Sequence, residues 1–383
     1  MGLILNDLKN VCELEHVCDY VNNRTTSSMN YISTENMLPN KGGISESTII
    51  PPGTTIEYKI GDILISNIRP YFQKIWYADR CGGCSADVLC IRAKENTDSK
   101  YLYYLLSQQA FFDYVMSGAK GCKMPRGDKK QIMQWPVNIP AIDVQKKVVA
   151  ILSSLDNKIR LNRRINDNLE EQAKALFNHY FIQNTENLGE WQDGVLTDIA
   201  QYLNGLAMQK YPAMPNEAGL PVLKIKELGQ GQCDTNSDRC SSLIKPEYII
   251  SDGTIIFSWS GTLLVDIWCG GKCGLNQHLF KVSSAKYPQW FVFYWTKHHL
   301  NKFIRIAKDK AVTMGHIKRC DLEISKVKIP SKQALVNLDK LFSPIFNRMV
   351  TCRIENRKLS SLRDTLLPKL MSGEISVEEV SLD

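Results

Sequence analysis

The 383-residue chain is 44% apolar and 23% charged, enough to bury large cores and at odds with a disordered or low-complexity protein. Its formal net charge of +7 suits a polyanionic partner without requiring one. No run reaches the roughly 18 apolar residues of a membrane span, and the opening MGLILNDLKN lacks the parts of a secretory signal, so a cytoplasmic protein with free thiols at its 12 cysteines is expected.

The chain repeats itself once, at an offset of about 190 residues. Gly61-Asp62-Ile63-Leu64-Ile65-Ser66 parallels Gly253-Thr254-Ile255-Ile256-Phe257-Ser258, and Glu35 stands in register with Glu227. Met124 and Met314 each open a polar, basic loop, and Val137-Asn138-Ile139-Pro140 and Val327-Lys328-Ile329-Pro330 close the two copies. A mixed α/β (α+β) fold follows: two globular modules, each trailed by a long helix, related by a pseudo-two-fold internal repeat.

In chain order, residues 1–140 form the first module. Ile63 to Ile65 and Val88 to Ile91 are β-branched runs bounded by Gly, Asp and Ser, which is strand punctuation, and Tyr101 to Val115 has the apolar spacing of a helix. Residues 141–184 follow as a helical spacer in which Val148, Leu152, Leu155, Ile159, Asn162, Asn166, Leu169, Ala173, Leu176 and Tyr180 recur in steps of four and three. The second module covers 185–330, with strands at Ile255 to Phe257 and His278 to Val282 and a helix over Gln289 to Ile306. Residues 331–375 are the second spacer, carrying Leu338, Phe342, Ile345, Met349, Cys352, Asn356, Leu359, Arg363, Leu366 and Leu370 at the same steps, before an acidic tail at 376–383.

Each spacer is too long for one small domain to cover, so the two are expected to pair as an antiparallel coiled coil with its interface at Leu155, Ile159, Asn166, Leu169, Leu176, Ile345, Met349, Asn356, Leu359 and Leu366. Asn166 and Asn356 hold equivalent places in the seam, where they either pin the register or are simply tolerated. Pro344 is expected to kink the second helix or begin it.

Two modules of different sequence on one paired-helix spacer match the geometry of a dimeric DNA reader, with an asymmetric, bipartite target. The run Gln145 to Leu152, then Leu155-Asp156, Ile159, Asn168-Leu169 and Leu176-Phe177, resembles the central helical region of type I restriction-modification specificity subunits. The run Leu362-Arg363-Asp364-Thr365-Leu366-Leu367-Pro368-Lys369-Leu370-Met371-Ser372-Gly373-Glu374-Ile375 resembles that family's terminal region closely. Gly61 to Ser66 with Arg69-Pro70, and Trp191 at the start of the second half, are also similar. The resemblance implies a non-catalytic chain that reads double-stranded DNA with one module per half-site. It further implies two methyltransferase subunits that use S-adenosylmethionine on adenine N6, and two restriction subunits, translocating nucleases that use ATP and Mg.

Catalytic motifs are not found in the chain itself. Ile50-Pro51-Pro52-Gly53 lacks the polar first and aromatic last residue of an adenine methyltransferase motif, and no Walker lysine loop occurs. His316-Ile317-Lys318 could be half of a phosphodiesterase motif, but its repeat counterpart Arg126-Gly127-Asp128 has no histidine. Cys81-x2-Cys84 and Cys269-x3-Cys273 have zinc-like spacing, yet neither has a second tight pair nearby, so no metal ligand is assigned.

Base reading is expected from loops at equivalent repeat positions: Ser66, Asn67 and Arg69 with Lys123, Arg126 and Lys129 in the first module, and Ser258 and Trp259 with Lys310, Thr313, His316 and Lys318 in the second. The basic stretch Lys297, His298, His299, Lys302, Arg305, Lys308 and Lys310 is expected to contact phosphate, with a solvated face as the alternative. A coiled-coil scaffold whose modules bind proteins is the rival reading of the whole.

Overall fold

The computed structural model describes residues 11–26, 29–46, 53–183, 191–309 and 315–379. The chain divides into two compact units, Met1–Asn157 with Ser361–Asp383, and Lys158–Ser360. Both unit boundaries fall inside long helices.

The first unit runs β1 (Val11–Glu13), β2 (Cys18–Tyr20), β3 (Arg24–Thr25), β4 (Thr55–Tyr58), β5 (Ile63–Ser66), β6 (Ile75–Tyr77), β7 (Gly82–Cys84), β8 (Val88–Ala93), α1 (Ser99–Leu106), α2 (Gln109–Ser117), α3 (Lys129–Met133), β9 (Pro136–Asn138) and the start of α4 (Ile142–Phe177). Its main sheet is antiparallel in the order β2-β8-β5-β6. All four residues of β5 are buried, because the strand is covered on both faces. Ile63 and Ile65 face a core with Tyr101, Phe111 and Trp135, while Leu64 faces a second core with Tyr58 and Trp76. That two-sided burial explains the unbroken apolar run in the sequence.

Helix α1 is capped by Asp98, whose Oδ1 accepts from the amides of Lys100 at 2.9 Å and Tyr101 at 3.0 Å. The helix expected over Tyr101 to Val115 is in fact two, broken at Ser107-Gln108. Ser107 Oγ donates back to Tyr103 O at 2.7 Å, beside the last helical bond from Ser107 N to the same carbonyl at 3.0 Å. Gln145, only 1% exposed, fastens α4 to the module: its Oε1 accepts from Asp98 N, and its Nε2 donates to Pro140 O.

The second unit continues with β10 (Gln192–Val195), α5 (Leu196–Ile199), β11 (Gln201–Asn204), β12 (Leu220–Leu223), α6 (Ile225–Gln230), β13 (Arg239–Cys240), β14 (Ile249–Ile250), β15 (Thr254–Ser258), β16 (Leu264–Trp268), β17 (Cys273–Leu275), β18 (Leu279–Ser283), α7 (Gln289–Asp309), α8 (Arg319–Glu323), β19 (Lys326–Ile329) and α9 (Lys332–Ser372). Its main sheet, β11-β18-β15-β16, repeats the order and antiparallel sense of β2-β8-β5-β6, and β10-β19 repeats β1-β9. The internal repeat of the sequence is therefore a repeat of topology.

The two spacer helices pair antiparallel within each unit. In the first, Val148 and Leu152 of α4 share a core with Leu367 and Leu370 of α9, and Arg363 Nη1 donates to Asp156 Oδ1 at 2.9 Å. Tyr104 donates to the other oxygen of Asp156 at 2.7 Å, tying module and helices together. In the second, the fully buried Asn162 donates from Nδ2 to Glu355 Oε2 at 2.8 Å and to Asn356 Oδ1 at 3.0 Å.

Of the expected interface, Leu155, Ile159 and Met349 are buried, while Asn166, Leu169, Leu176, Ile345, Asn356, Leu359 and Leu366 are half-buried. The partner of Asn356 is Asn162, not Asn166. Toward the second module the buried positions move by one residue, to Phe177, Phe181 and Phe346 in place of Leu176, Tyr180 and Ile345. There the helices bury against the aromatic face of α7, with Trp290 stacked on Phe342 at 4.2 Å, and a π-helical turn at Asn178–Gln183 follows α4. Helix α9 does not begin at Pro344 but runs through it from Lys332, held on either side by buried Phe342 and Phe346.

Candidate nucleic-acid interface

Each module brings its two expected reading loops side by side. In the first, Arg69 N donates to Pro125 O at 2.8 Å and Gly127 N to Asn67 O at 3.3 Å, flanking a bridge between Ile68 and Arg126. In the second, Gly261 N donates to Gly315 O at 3.0 Å and Ile317 N to Trp259 O at 3.1 Å, flanking a bridge between Ser260 and His316. Stretches far apart in sequence thus make one continuous edge at matching places in both modules.

Ser66 and Ser258 are corrected from base readers to loop supports. They are 2% and 0% exposed, and their hydroxyls donate inward, Ser66 to Ile68 O at 2.9 Å and Ser258 to Thr262 O at 2.8 Å.

The side chains beside them differ between modules. Asn67 is 9% exposed and its Oδ1 has no hydrogen-bond partner, and Arg69 Nε is likewise buried and unpaired. Arg69 also adopts a left-handed backbone at φ 50°, a strain of about 1–3 kcal/mol that tends to collect at functional sites. Arg126 is exposed and 3.2 Å from Asp87, while Lys123 and Lys129 extend into solvent. Lys120 holds the carboxyl of Asp128 below its usual range, helped by the amides of Gln131 and Lys130 that the same carboxylate caps.

The second module offers ring faces and neutral polar groups. Half-buried Trp259 stacks on Phe280 at 5.7 Å and donates from Nε1 to Asn204 Oδ1 at 3.0 Å. His278 and His316 flank the indole at 6.0 and 6.4 Å, and His278 Nδ1 lies 3.0 Å from Ser260 Oγ. His316 is exposed, as is Lys318, which caps α8 by donating its amide to Asp321 Oδ2 at 2.8 Å. Lys310 and Thr313 lie outside the described residues. Sequence reasoning missed Asn204, His278 and Asp87; the run Asn276-Gln277-His278, three hydrogen-bonding side chains opening a strand, was the available signal for His278.

In the basic stretch Lys297, His299 and Lys302 are held by contacts within the protein, while His298, Arg305 and Lys308 are exposed. Lys297 pairs with Glu170 of α4, Lys302 Nζ reaches Ser325 Oγ, and His299 Nε2 lies 2.8 Å from Lys326 O. Desolvation lowers His299 to about 4, so it carries no charge at neutral pH. Among the described residues no three His, Cys, Asp or Glu gather as a metal's ligands would. Burial pushes the Cys84 thiol up to about 12 and Cys269 up to about 11.

Residues 6–171, the first module and most of α4, match the type I restriction modification DNA specificity domain. The MjaIX specificity subunit of Methanocaldococcus jannaschii is 26% identical over 310 residues, covering 75% of this chain and 71% of the relative. The HindI specificity subunit of Haemophilus influenzae is 21% identical, covering 90% of this chain and 94% of the relative. Among solved structures, the type I S subunit of M. genitalium shares the fold with a TM-score of 0.55 at 15% identity, over 97% of this chain and 98% of that one. Through the matched domain, and through relatives aligned along most of both chains, the protein is similar to the specificity subunits of type I restriction-modification systems.

Proposed function

We propose that the chain reads an asymmetric, bipartite DNA site for a type I complex, one half-site per module, and catalyses nothing itself. The observation that carries this reading is the duplicated loop edge: the same backbone scaffold in both modules, presenting Asn67, Arg69 and Arg126 in one and Trp259, His278 and His316 in the other. Arginine suits guanine and asparagine suits adenine through paired hydrogen bonds, so different side chains on one scaffold would select different half-sites. The exposed Lys123, Lys129 and Lys318 would supply sequence-independent phosphate affinity.

In this reading two methyltransferase subunits carry S-adenosylmethionine and transfer its methyl group to adenine N6. Two restriction subunits supply ATP- and Mg-dependent translocation and cleavage, all in the cytoplasm. Sequencing of N6-methyladenine in cells that make this chain with its methyltransferase should give one bipartite motif. Exchanging residues 1–140 for the matching module of a relative should change one half of that motif and leave the other. A change in both halves, or no bipartite motif, would refute the assignment of one half-site to each module.

A further inference from the structure

The second module is attached to α9 in two places of different chemistry. One is apolar, where Trp290 and Phe293 of α7 meet Phe342 and Phe346. The other is a pair of arginines farther along the helix. Arg357 grips Asp252 with both ends of its guanidinium, Nη1 to Oδ1 at 2.7 Å and Nη2 to Oδ2 at 2.8 Å, and Nη1 also donates to Cys269 O at 2.7 Å. Arg353 Nη1 donates to Asp266 Oδ1 at 2.7 Å and to Ile267 O at 3.2 Å. Gly271 N completes Asp252, donating to its Oδ1 at 2.8 Å.

These contacts all fall on the hairpin of β15 and β16 and the turns at its base. Asp252 precedes β15, Asp266 and Ile267 lie in β16, and Cys269 follows it. The opposite end of the same hairpin is the turn that begins Trp259-Ser260-Gly261, half of the loop edge proposed to read DNA. Each five-residue strand spans roughly 17 Å, so a small tilt at the gripped base is carried to the tip. Beside the grip the helices and module are not closely packed: a polar cavity of about 390 Å³ is lined by Asn166, Glu170, Asp266, Arg353 and Arg357. A bidentate guanidinium–carboxylate pair fixes a plane as well as a distance, which a point charge does not.

Among the described residues the first module shows no such grip. The repeat places Ile60, 68% exposed, opposite Asp252, and Asp167 of α4 opposite Arg357.

We propose that Arg353 and Arg357 are positioning residues that fix the angle of the β15–β16 hairpin on α9, and so restrict the complex to one spacing between its half-sites. The proposal rests on the DNA-reading assignment above. The test uses the full chain with its methyltransferase partner, and duplexes carrying the parent half-sites at the parent spacing and at one base pair shorter and longer. The double variant Arg353→Gln/Arg357→Gln should keep both half-site sequences yet lower the preference for the parent spacing over its neighbours at least tenfold. Exchanging the pair, Asp252→Arg with Arg357→Asp, should recover part of that preference. Arg357→Lys, which keeps the charge but not the fork, should give an intermediate value and serves if the double variant does not fold. An unchanged spacing ratio in a folded variant, including a uniform fall in methylation at every spacing, would overturn the positioning role. A parent complex that marks no bipartite motif would remove the DNA-reading assignment, and this inference with it.

Discussion

Asn162 is fully buried between two helices, and its amide nitrogen serves both Glu355 and Asn356. Removing the amide takes the donor from two half-buried acceptors that water can partly satisfy, so Asn162→Ala should lower stability by about 1 kcal/mol and reduce the urea midpoint accordingly. Heptad spacing placed Asn162 and Asn166 in the seam together, but which one meets Asn356 depends on the register of the antiparallel helices, and no local pattern encodes that. His299 makes a second residue-scale prediction. Its folded pKa, lowered from 6.5 to about 4 chiefly by desolvation, means that the unfolded chain binds the extra proton first. Stability should therefore fall as pH drops from about 6.5 toward 4. His299→Gln should flatten that part of the profile in urea unfolding measured across the same pH range. A histidine beside lysines reads from sequence as a surface group; only the fold reveals that this face of α7 packs on β19 and α4.

At the scale of elements, the paired loops depend on one close-packed glycine in each module. A Cβ on Gly127 would stand 2.8 Å from Val115 Cγ1 and 2.9 Å from Asn67 Oδ1, and one on Gly315 would stand 2.7 Å from Ala307 O. Gly127→Ala should cost about 1–3 kcal/mol by overpacking and push Asn67 out of place. Its methylated motif should then lose definition in one half-site only, with Gly315→Ala blurring the other; blurring of the same half by both would contradict the pairing of modules with half-sites. The spacer helices were legible because their apolar steps persist over many turns, whereas the break between α1 and α2 falls within an apolar run that continues across it. Pro344 does not begin the helix, for a related reason. Its missing donor costs one helical bond, but the aromatic core around Phe342 and Phe346 holds the backbone helical through it. Ser66 and Ser258 looked like readers because they sit at the ends of matching strands; alternation alone does not say which face of a strand end is covered.

For the whole molecule, the repeat was the most legible feature, since duplicated topology leaves duplicated punctuation even where side chains have diverged. It carries a prediction about distance. Asn162 faces Asn356, so a heptad inserted after Asn162 and a matching one inserted before Asn356 would keep the seam in phase and the helices paired. Seven residues lengthen a helix by roughly 10 Å, about three base pairs at the 3.4 Å rise of B-DNA. If the paired helices are the ruler between half-sites, the modified chain should fold with its usual helix content. It should also mark a motif whose half-sites are unchanged but stand farther apart by about three base pairs. Sequencing of N6-methyladenine in cells carrying the modified chain reads half-sites and spacing together. Continued marking of the original motif at full efficiency would mean that the methyltransferase partners, rather than the helices, set the distance at which the modules engage DNA.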